Sequence, residues 1–441
     1  MTKKDDHTSK YSILDRREDM INRCFRCGLC RTVCPSFEET GLESASPRGR
    51  VQFAKAVLDG KAELDRAIET RMLDCLNCMR CADVCPSGVR ANEIVLDVRA
   101  ELVKRGKLNP VKKLAFNTVL RSPSLLSFSA RAASLGKKWL YDGSEILKTL
   151  VPKFAGMDGK YFPSPSTVTS INRWPEEVPP TSGKPVMRAG YFIGCATNLI
   201  FTEVADATIR VLALNGVEVV IPRGQSCCGI PVYTSGDTKT ARKLAESNLR
   251  LFDGLDIDCI VTDCGSCSAA LKHEIEDLMG VGPFSVPVYD LNEFLVNIIT
   301  IKRDFREIPV RATYHDPCHL RRAQGIYREP RELLRMIPGL DFVEMEGADR
   351  CCGGAGTFSY THHELSRKVG ARKVQAIRDT GADYVVTPCP SCTMQIDDLL
   401  HAEGLERMIV HPVELLDVAY GNENEKITVP ETSAAVGRTE R

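Results

Sequence analysis

Residues 351–356 read Cys-Cys-Gly-Gly-Ala-Gly, and the same doubled cysteine with its glycine occurs earlier at residues 227–229. Each pair lies inside a set of five cysteines. The gaps are 31 and 35 residues in the first set and 32 and 36 in the second. The sets are Cys195, Cys227, Cys228, Cys264 and Cys267, and Cys318, Cys351, Cys352, Cys389 and Cys392. Two sets with nearly equal spacing indicate a duplicated half of the chain that binds metal through thiolates.

Alternating strand and helix patterns carry both sets. In the first copy we predict strands over 186–193, 217–221 and 258–261, and helices over 202–214, 238–252 and 269–278. In the second copy we predict strands over 310–314, 342–345 and 384–386, and helices over 328–337 and 364–379. Such alternation is typical of parallel α/β units, in which ligands bind at the carboxyl ends of the strands.

Five cysteines exceed what one zinc ion needs, because structural zinc takes four ligands. Both copies keep the surplus cysteine, and adjacent cysteines point in different directions. We therefore favour one iron–sulfur cluster per set, with the doubled cysteine touching more than one iron. Zinc, or a redox-active thiol pair in one set, remains the alternative.

The N-terminal part contains another repeat. Residues 24–35 and 75–86 both follow the pattern C-x2-C-x2-C-x3-C-P, the run of bacterial ferredoxins that hold two [4Fe–4S] clusters. In such proteins the fourth cysteine of each run binds the cluster of the other run. We therefore predict one cluster on Cys24, Cys27, Cys30 and Cys85, and a second on Cys75, Cys78, Cys81 and Cys34. Two zinc knuckles are the alternative, but zinc gives no reason for the x3-C-P ending.

Other candidate groups give weaker signals. The arginines of residues 46–50 either donate hydrogen bonds to cluster sulfur or a partner, or lie in a solvated turn. His315 and His319 flank Cys318 and either support the ligands through hydrogen bonds and relay protons, or are structural residues. Asp263, beside Cys264, has the same two interpretations. Cys259 is the one cysteine outside the clusters, and we expect a small buried apolar residue there.

The fold class predicted is α+β multidomain, with a helical two-[4Fe–4S] ferredoxin-like domain followed by two α/β cysteine-rich domains. Residues 102–141 contain nine Lys or Arg and no acidic residue. They form either a surface for a membrane or an acidic partner, or helices that pack on the domains. The predicted divisions are 1–105 (ferredoxin-type), 106–185 (basic segment and linker), 186–305 and 306–420 (cysteine-rich), and 421–441 (disordered tail).

The chain of 441 residues balances 58 basic against 58 acidic residues, so nothing suggests nucleic acid as a partner. With 19 cysteines, a polar N-terminus and no long apolar run, we expect a reducing cytoplasm, with contact to the inner face of the membrane only through a partner. No G-x-G-x-x-G or Walker loop occurs between a strand and a helix, so we expect no flavin on this chain.

These motifs together resemble the glycolate oxidase iron–sulfur subunit, the anaerobic glycerol-3-phosphate dehydrogenase subunit, and the cysteine-rich (CCG) subunit of heterodisulfide reductase. Residues 46–50 and 85–90 look most like the glycolate oxidase subunit. That resemblance implies an FAD-containing partner that oxidises a 2-hydroxy acid such as glycolate or lactate, with electrons passing to quinone or another membrane acceptor. The complete five-cysteine sets look instead like heterodisulfide reductase, where they are associated with noncubane [4Fe–4S] clusters that reduce a disulfide.

Three interpretations of function follow. The first is an electron-transfer subunit of a 2-hydroxyacid dehydrogenase. The second is a disulfide reductase acting at the doubled-cysteine sites. The third, a redox sensor or scaffold, is disfavoured because two complete ferredoxin runs supply more centres than sensing needs.

Overall fold

The computed structural model describes residues 11–427 except 109, 119, 123–124, 126–127, 129–159 and 162. The N-terminal unit is helical. Its α-helices are Ser12–Asp15, Glu18–Asn22, Pro35–Thr40, Pro47–Leu58, Arg66–Leu73, Arg80–Asp83 and Ala91–Lys104, and its 3-10 turns are Leu29–Arg31 and Glu43–Ala45.

The longest helices of this unit pack on each other through small and branched side chains. Ser46 begins the helix Pro47–Leu58 because its hydroxyl accepts the amide of Gly49 at 3.0 Å. Val51 and Ala54 then face Ile94 of the helix Ala91–Lys104 in one buried cluster. Both cysteine runs lie at the edge of this cluster, so the helix pair positions the loops that carry them.

The first cysteine-rich half is a five-stranded sheet. Its strands are β1 Glu177–Val178, β2 Met187–Tyr191, β3 Val217–Val220, β4 Cys259–Thr262 and β5 Val288–Asp290, in the order β1-β3-β2-β4-β5. All neighbours are parallel except β1, which pairs antiparallel with β3. The helices are Cys195–Leu199, Thr202–Leu214, Ile230–Thr234, Thr238–Asp253, Gly265–Ala269, Ile275–Asp277 and Leu291–Glu293, with π-helical turns at Ala270–Glu274 and Phe294–Ile298.

The second half repeats this plan with four parallel strands. They are β6 Arg311–Tyr314, β7 Asp341–Phe342, β8 Tyr384–Val386 and β9 Met408–Val410, in the order β7-β6-β8-β9. The helices are Cys318–Gln324, Glu329–Met336, Phe358–Thr361, His363–Thr380, Pro390–Ala402 and Pro412–Ala419. The order matches β3-β2-β4-β5, so the predicted duplication and the predicted fold class are confirmed.

The structure differs from the sequence-based boundaries in three places. Strands β5 and β9 were not predicted. The predicted helix over 269–278 widens into a π-helical turn at Ala270–Glu274. Residues 170–178, which we predicted to lie in a linker, form the helix Ser170–Arg173 and the edge strand β1. Helix Pro110–Asn117 lies in the predicted basic segment, whereas most of the rest of that segment and the tail from 428 lie outside the described residues.

The two halves share one core and meet at their cysteine sites. Helix Thr202–Leu214 packs on Pro412–Ala419, where Arg210 pairs with buried Asp417 at 2.5 Å. At the sites themselves, the amide of Gly265 donates to the carbonyl of Pro388 at 2.9 Å. The carboxyl ends of the central strands of the two sheets are therefore held against each other.

The N-terminal unit contacts both halves. Ion pairs join Asp83 to Arg322 and Glu38 to Arg350, each at 2.8 Å. On the other side, Arg99 donates to the carbonyl of Thr234 in the first half at 2.9 Å. Among the described residues, every helix is too short or too polar to cross a bilayer.

Candidate metal centres

The structure brings together the four cysteines predicted for the second ferredoxin-type site. Cys34, Cys75, Cys78 and Cys81 line one small cavity, although Cys34 is distant from the others in sequence. Burial raises the pKa of Cys81 well above its ordinary value, and the neighbouring thiols of Cys75, Cys78 and Cys34 raise it further. A cation between these four thiols would favour their thiolate forms, and an iron–sulfur cluster would supply it.

The first ferredoxin-type site brings Cys24, Cys27 and Cys30 together nearer the surface. Burial raises the pKa of Cys30 to about 11, the backbone amide of Arg48 lowers it, and Cys24 and Cys27 are among the charged neighbours. Cys27 is exposed. Cys85 packs on the same apolar cluster as Cys24, and its sulfur accepts the amide of Val89 at 3.2 Å. Its assignment to this site remains a prediction.

The two runs adopt the same backbone. Arg26 and Asn77 occupy matching positions and have φ of 58° and 51°, and Gly28 and Met79 match with φ of 92° and 62°. Residues other than glycine rarely adopt this left-handed backbone conformation, which costs them about 1–3 kcal/mol. Because both loops contain the same strained turns, we infer that each loop curves around a bound group.

Arg50 lies against the second site. Its side chain is buried, with Nη1 4.0 Å from the sulfur of Cys34 and Nη2 2.9 Å from the hydroxyl of Ser36. Arg48 instead donates to the carbonyl of Arg26 at 2.9 Å. The solvated-turn interpretation is therefore wrong for Arg50, whose guanidinium offsets the charge of thiolates or of a cluster.

The first cysteine-rich site gathers all five cysteines of its set at the ends of β2, β3 and β4. Cys195 begins a helix and Cys264 precedes one, so both residues lie at the positive end of a helix dipole. Hydrogen bonds from Cys227 and Cys267 lower the pKa of Cys228 to about 5. Contact with Cys227 raises the pKa of Cys195, and the thiols of Cys264 and Cys267 also bond to each other.

The second cysteine-rich site repeats this geometry with one change. Cys318 begins a helix and Cys389 precedes one, as in the first half. Contact with Cys392 lowers the pKa of Cys352, and Cys392 also bonds to Cys389. Cys351 leaves this pattern, because it contacts Cys78 of the N-terminal unit and raises the pKa of that thiol.

The histidines beside Cys318 take different positions. His315 is buried, its Nδ1 lies 3.1 Å from the carbonyl of Ala348, and its ring lies against Cys352. His319 places Nδ1 3.4 Å from the sulfur of Cys318. Both histidines therefore contact the site, as one of the two sequence-based interpretations expected.

Asp263 and Cys259 are buried in the first half. The Asp263 carboxylate accepts the hydroxyls of Tyr191 at 2.6 Å and Thr197 at 3.1 Å, and burial raises its pKa to about 7. Cys259 lies inside β4, 3.5 Å from the sulfur of Met187, so the expectation of a buried apolar residue is confirmed.

Three further polar residues, which no sequence motif predicts, are buried near the sites. His411 donates from Nε2 to the backbone carbonyl of Asp263 at 2.9 Å, because its Nδ1 already accepts the amide of Val413. Lys373 donates to the carbonyls preceding Cys351, and Gln395 lines the space beside Cys392. Only an alignment of the two halves could have drawn attention to them, since none belongs to a ligand motif.

The thiol sites follow one another through direct contacts. Cys78 touches Cys351, and Cys389 touches Cys264, so the N-terminal unit meets the second half and the second half meets the first. A cavity of about 820 Å³, here called the central chamber, lies between the three units. All ten cysteines of the two five-cysteine sets except Cys227 line it.

The donor chemistry fits iron–sulfur clusters. At the second ferredoxin-type site and at both cysteine-rich sites several cysteines line the same cavity, and sulfur is a donor that suits iron–sulfur clusters and zinc better than hard cations. Cys195 and Cys318 lie at helix N-termini, and the buried cations Arg50 and Lys373 lie near Cys34 and Cys352, where positive charge stabilises thiolates. Cysteine pairs at C-x2-C spacing also suit zinc, but the fifth cysteine of each cysteine-rich set has no place in a tetrahedral zinc site.

The fold and the sites together define an iron–sulfur protein with a dicluster domain and two cysteine-rich domains. Family models agree, since a 4Fe-4S dicluster domain matches residues 20–89 and a cysteine-rich domain matches 189–272 and 312–397. A probable glycolate oxidase iron-sulfur subunit of Bacillus subtilis is 33% identical over 92% of this chain and 95% of its own length. The chain therefore belongs to the family of these iron–sulfur oxidoreductase subunits, which confirms the resemblance seen in the sequence.

Other relatives widen the family. A subunit of the fumarate reductase (CoM/CoB) of Methanothermobacter marburgensis is 32% identical over 91% of this chain and 73% of its own length. Lactate utilization protein A of Geobacillus thermodenitrificans is 33% identical over 52% of this chain and 99% of its own length. Among solved structures, a hypothetical protein from Helicobacter pylori covers 94% of this chain and 77% of its own, with a TM-score of 0.51 at 11% identity, a likeness of fold alone.

Proposed function

We propose that this chain is the iron–sulfur electron-transfer subunit of a flavin-dependent 2-hydroxyacid dehydrogenase of glycolate or lactate type. An FAD-containing partner would oxidise the substrate, and quinone or another acceptor would receive the electrons. The names of the glycolate oxidase and lactate utilization relatives support this substrate class. The observation that carries the proposal is the succession of neighbouring sites, since Cys78 contacts Cys351 of the second half and Cys389 of that half contacts Cys264 of the first.

The chain's own residues would hold four clusters, two in the N-terminal unit and one in each cysteine-rich half. When bound, such clusters would exchange single electrons with their neighbours. Arg50 and Lys373, both buried, place positive charge beside the thiolates. The first site is the one that a partner can approach most directly, because Cys27 is exposed and the neighbouring Phe25 is 83% exposed.

Metal analysis tests the number of centres. Four [4Fe–4S]-type clusters would give about sixteen irons per chain, with matching acid-labile sulfide. About eight irons together with zinc would restrict the clusters to the N-terminal unit. The variant Cys75→Ser should remove one cubane signal from the EPR spectrum and leave the circular dichroism of the cysteine-rich halves unchanged. An unaltered spectrum and iron content would contradict the assignment of Cys75.

Reconstitution with a partner tests the reaction. The tagged chain, purified anaerobically from its own host, should retain a flavoprotein, and glycolate or lactate should then bleach the iron–sulfur absorbance of the complex. The matched control is Cys30→Ser, which should retain the flavoprotein but slow the bleaching. A complex whose clusters stay oxidised with every 2-hydroxy acid tested would refute the dehydrogenase assignment.

The central chamber favours a second candidate, reduction of a disulfide or another small two-electron acceptor at the cysteine-rich sites. Gln395 lines the chamber, is 2% exposed, and has no hydrogen-bond partner among the described residues for either amide atom. A buried amide without partners costs about 1–3 kcal/mol, which a bound polar molecule would recover.

Turnover by the isolated protein separates the two candidates. The holoprotein, given a chemical reductant, should reduce a small heterodisulfide if the second candidate holds. Gln395→Leu should then raise KM and keep the iron content, because it removes the amide and leaves the cysteines. Absence of turnover in a fully loaded protein would exclude the second candidate.

A further inference from the structure

His315 occupies a position that the two halves share. It is the first residue after β6, and its amide donates to the carbonyl of Val386 at 2.9 Å. In the first half Phe192 follows β2 and donates to Val261, also at 2.9 Å. Each of the two lies three residues before the first cysteine of its set. At this equivalent backbone position the second half therefore carries the imidazole of His315, whereas the first half carries the phenyl ring of Phe192.

The backbone fixes which nitrogen of His315 is free. Nδ1 lies 3.1 Å from the carbonyl oxygen of Ala348, and a carbonyl can only accept, so Nδ1 carries the proton. That carbonyl is held in place, because it also accepts the amide of Asp316 and the ammonium of Lys373, each at 3.0 Å. In the neutral ring Nε2 is left with a lone pair.

Two thiols lie close to this ring. A ring nitrogen of His315 and the sulfurs of Cys352 and Cys392 all lie within 4.8 Å of one another. All three residues are buried, with 1%, 4% and 8% of their surface exposed. A histidine that donates one ring nitrogen to a backbone carbonyl has its other nitrogen available as a metal ligand.

The two halves differ in the direction of one cysteine sulfur, which leaves the second site with one sulfur donor fewer. In the first half Cys227 bonds to Cys195 and Cys228 within its own site. Its counterpart Cys351 is turned outward to Cys78. The second set therefore directs one of its five sulfurs toward the N-terminal unit, and His315 stands beside the sulfurs that remain.

We propose that Nε2 of His315 is a ligand to iron in the second cysteine-rich site. That site then has mixed nitrogen and sulfur donors, whereas the first half uses sulfur alone. The inference rests on the proposed cluster in the second half. A neutral nitrogen donor in place of an anionic thiolate raises the reduction potential, as the histidine-ligated Rieske centres illustrate.

Nitrogen hyperfine coupling tests this ligand directly. The holoprotein is prepared with natural and with ¹⁵N-labelled histidine, and ENDOR spectra are recorded on the signal that is lost in Cys352→Ser. We expect a strong ¹⁴N coupling that becomes a ¹⁵N coupling on labelling and disappears in His315→Phe. Phenylalanine is the residue that the first half carries at this point, so the variant should fold. The matched control is His319→Phe, which removes the other histidine of the site and should keep the coupling.

The outcomes separate the two proposals. A second half without iron would refute the proposed cluster, and the ligand with it. A loaded second half without histidine coupling, or with coupling that survives in His315→Phe, would refute the ligand alone. A weak coupling that belongs to a hydrogen-bonded imidazole would also refute it. If His315→Phe does not fold, the labelled wild type and His319→Phe still test the proposal. Loss of the nitrogen coupling in His319→Phe would assign the coupling to His319 and refute His315 as the ligand.

Discussion

The two cysteine-rich halves place their cysteines at equivalent points of two equivalent sheets, but surround them with different charges. Phe192 in the first half corresponds to His315 in the second, and the residue before the C-x2-C pair is Asp263 in one and Pro388 in the other. Burial holds the pKa of Asp263 at about 7. The duplicated backbone thus fixes where the cysteines of each half lie, while the unequal neighbours would set the reduction potential of a cluster bound there.

The loop before each doubled cysteine shows the same contrast. In the first half the neutral amide of Asn248 bonds to the amide of Ser226 at 2.9 Å and to the carbonyl of Cys227 at 3.1 Å. In the second half the ammonium of Lys373 donates to the carbonyls of Gly347 at 2.7 Å and Ala348 at 3.0 Å. Because positive charge favours the reduced, more negative form of a cluster, the second half should have the higher potential.

The largest expected effect comes from breaking one site at a time. Cys352→Ser and Cys228→Ser should each remove about four irons per chain, since each should unload one cluster. Cys352→Ser should in addition slow reduction of the first half, because the second half lies between the first half and the N-terminal unit. Iron analysis with EPR during stepwise reduction measures both effects. Equal reduction rates of the remaining centres in the two variants would refute the order of sites.

Glycine substitutions compare the backbones of the halves. Gly229 and Gly353 have φ of 94° and 88°, so alanine at either position costs about 1–2 kcal/mol. A Cβ on Gly353 would also lie 2.4 Å from the carbonyl oxygen of Ser366, whereas on Gly229 the nearest atom, a carbonyl oxygen of Ala241, is 3.4 Å away. Gly353→Ala should therefore lose about 1–3 kcal/mol more than Gly229→Ala in denaturant unfolding. Equal losses would show that the loop around Gly353 can shift.

Removing the charge of Lys373 tests the electrostatic contrast. Lys373→Met leaves two buried carbonyls with fewer partners and should cost about 1–3 kcal/mol of stability. It should also lower the midpoint potential of the second half in a redox titration. Asn248→Ala is the control, because it should cost a similar stability and leave the potential of the first half nearly unchanged. Equal potential shifts in both variants would argue against charge as the cause.

The smallest effect concerns His411, which joins the second half to the strand end of the first. Burial lowers its pKa to about 4, below the ordinary value of 6.5, so the unfolded chain binds the proton more tightly. The stability that neutral His411 contributes to the folded protein is therefore fully present above pH ~6.5 and is lost as the pH falls toward ~4. The loss amounts to about 3 kcal/mol of unfolding free energy, at about 1.4 kcal/mol per unit of pKa shift. His411→Gln should fold with a smaller slope of unfolding free energy against pH between 6.5 and 4. An unchanged slope would assign the acid sensitivity elsewhere.

Much of the fold was readable in the sequence because the cysteines mark strand ends. Helix Thr202–Leu214 and strand β8 coincide with the predicted boundaries, since apolar periodicity and the following cysteine agree there. Strands β5 and β9 were missed because each is only three residues long and lies outside the cysteine pattern. Edge strand β1 was missed because residues around it are rich in proline and serine.

The amino-acid sequence by itself determined the cysteine sets, the duplication and the family, because thiolate spacing is a local property of loops that bind clusters. Only the tertiary structure decided which sites touch. Cys78 meets Cys351 and Cys389 meets Cys264 across separations that no periodicity encodes. It also decided the unequal surroundings of two equal backbones, since the burial of His315 and Lys373 depends on packing between elements distant in the chain.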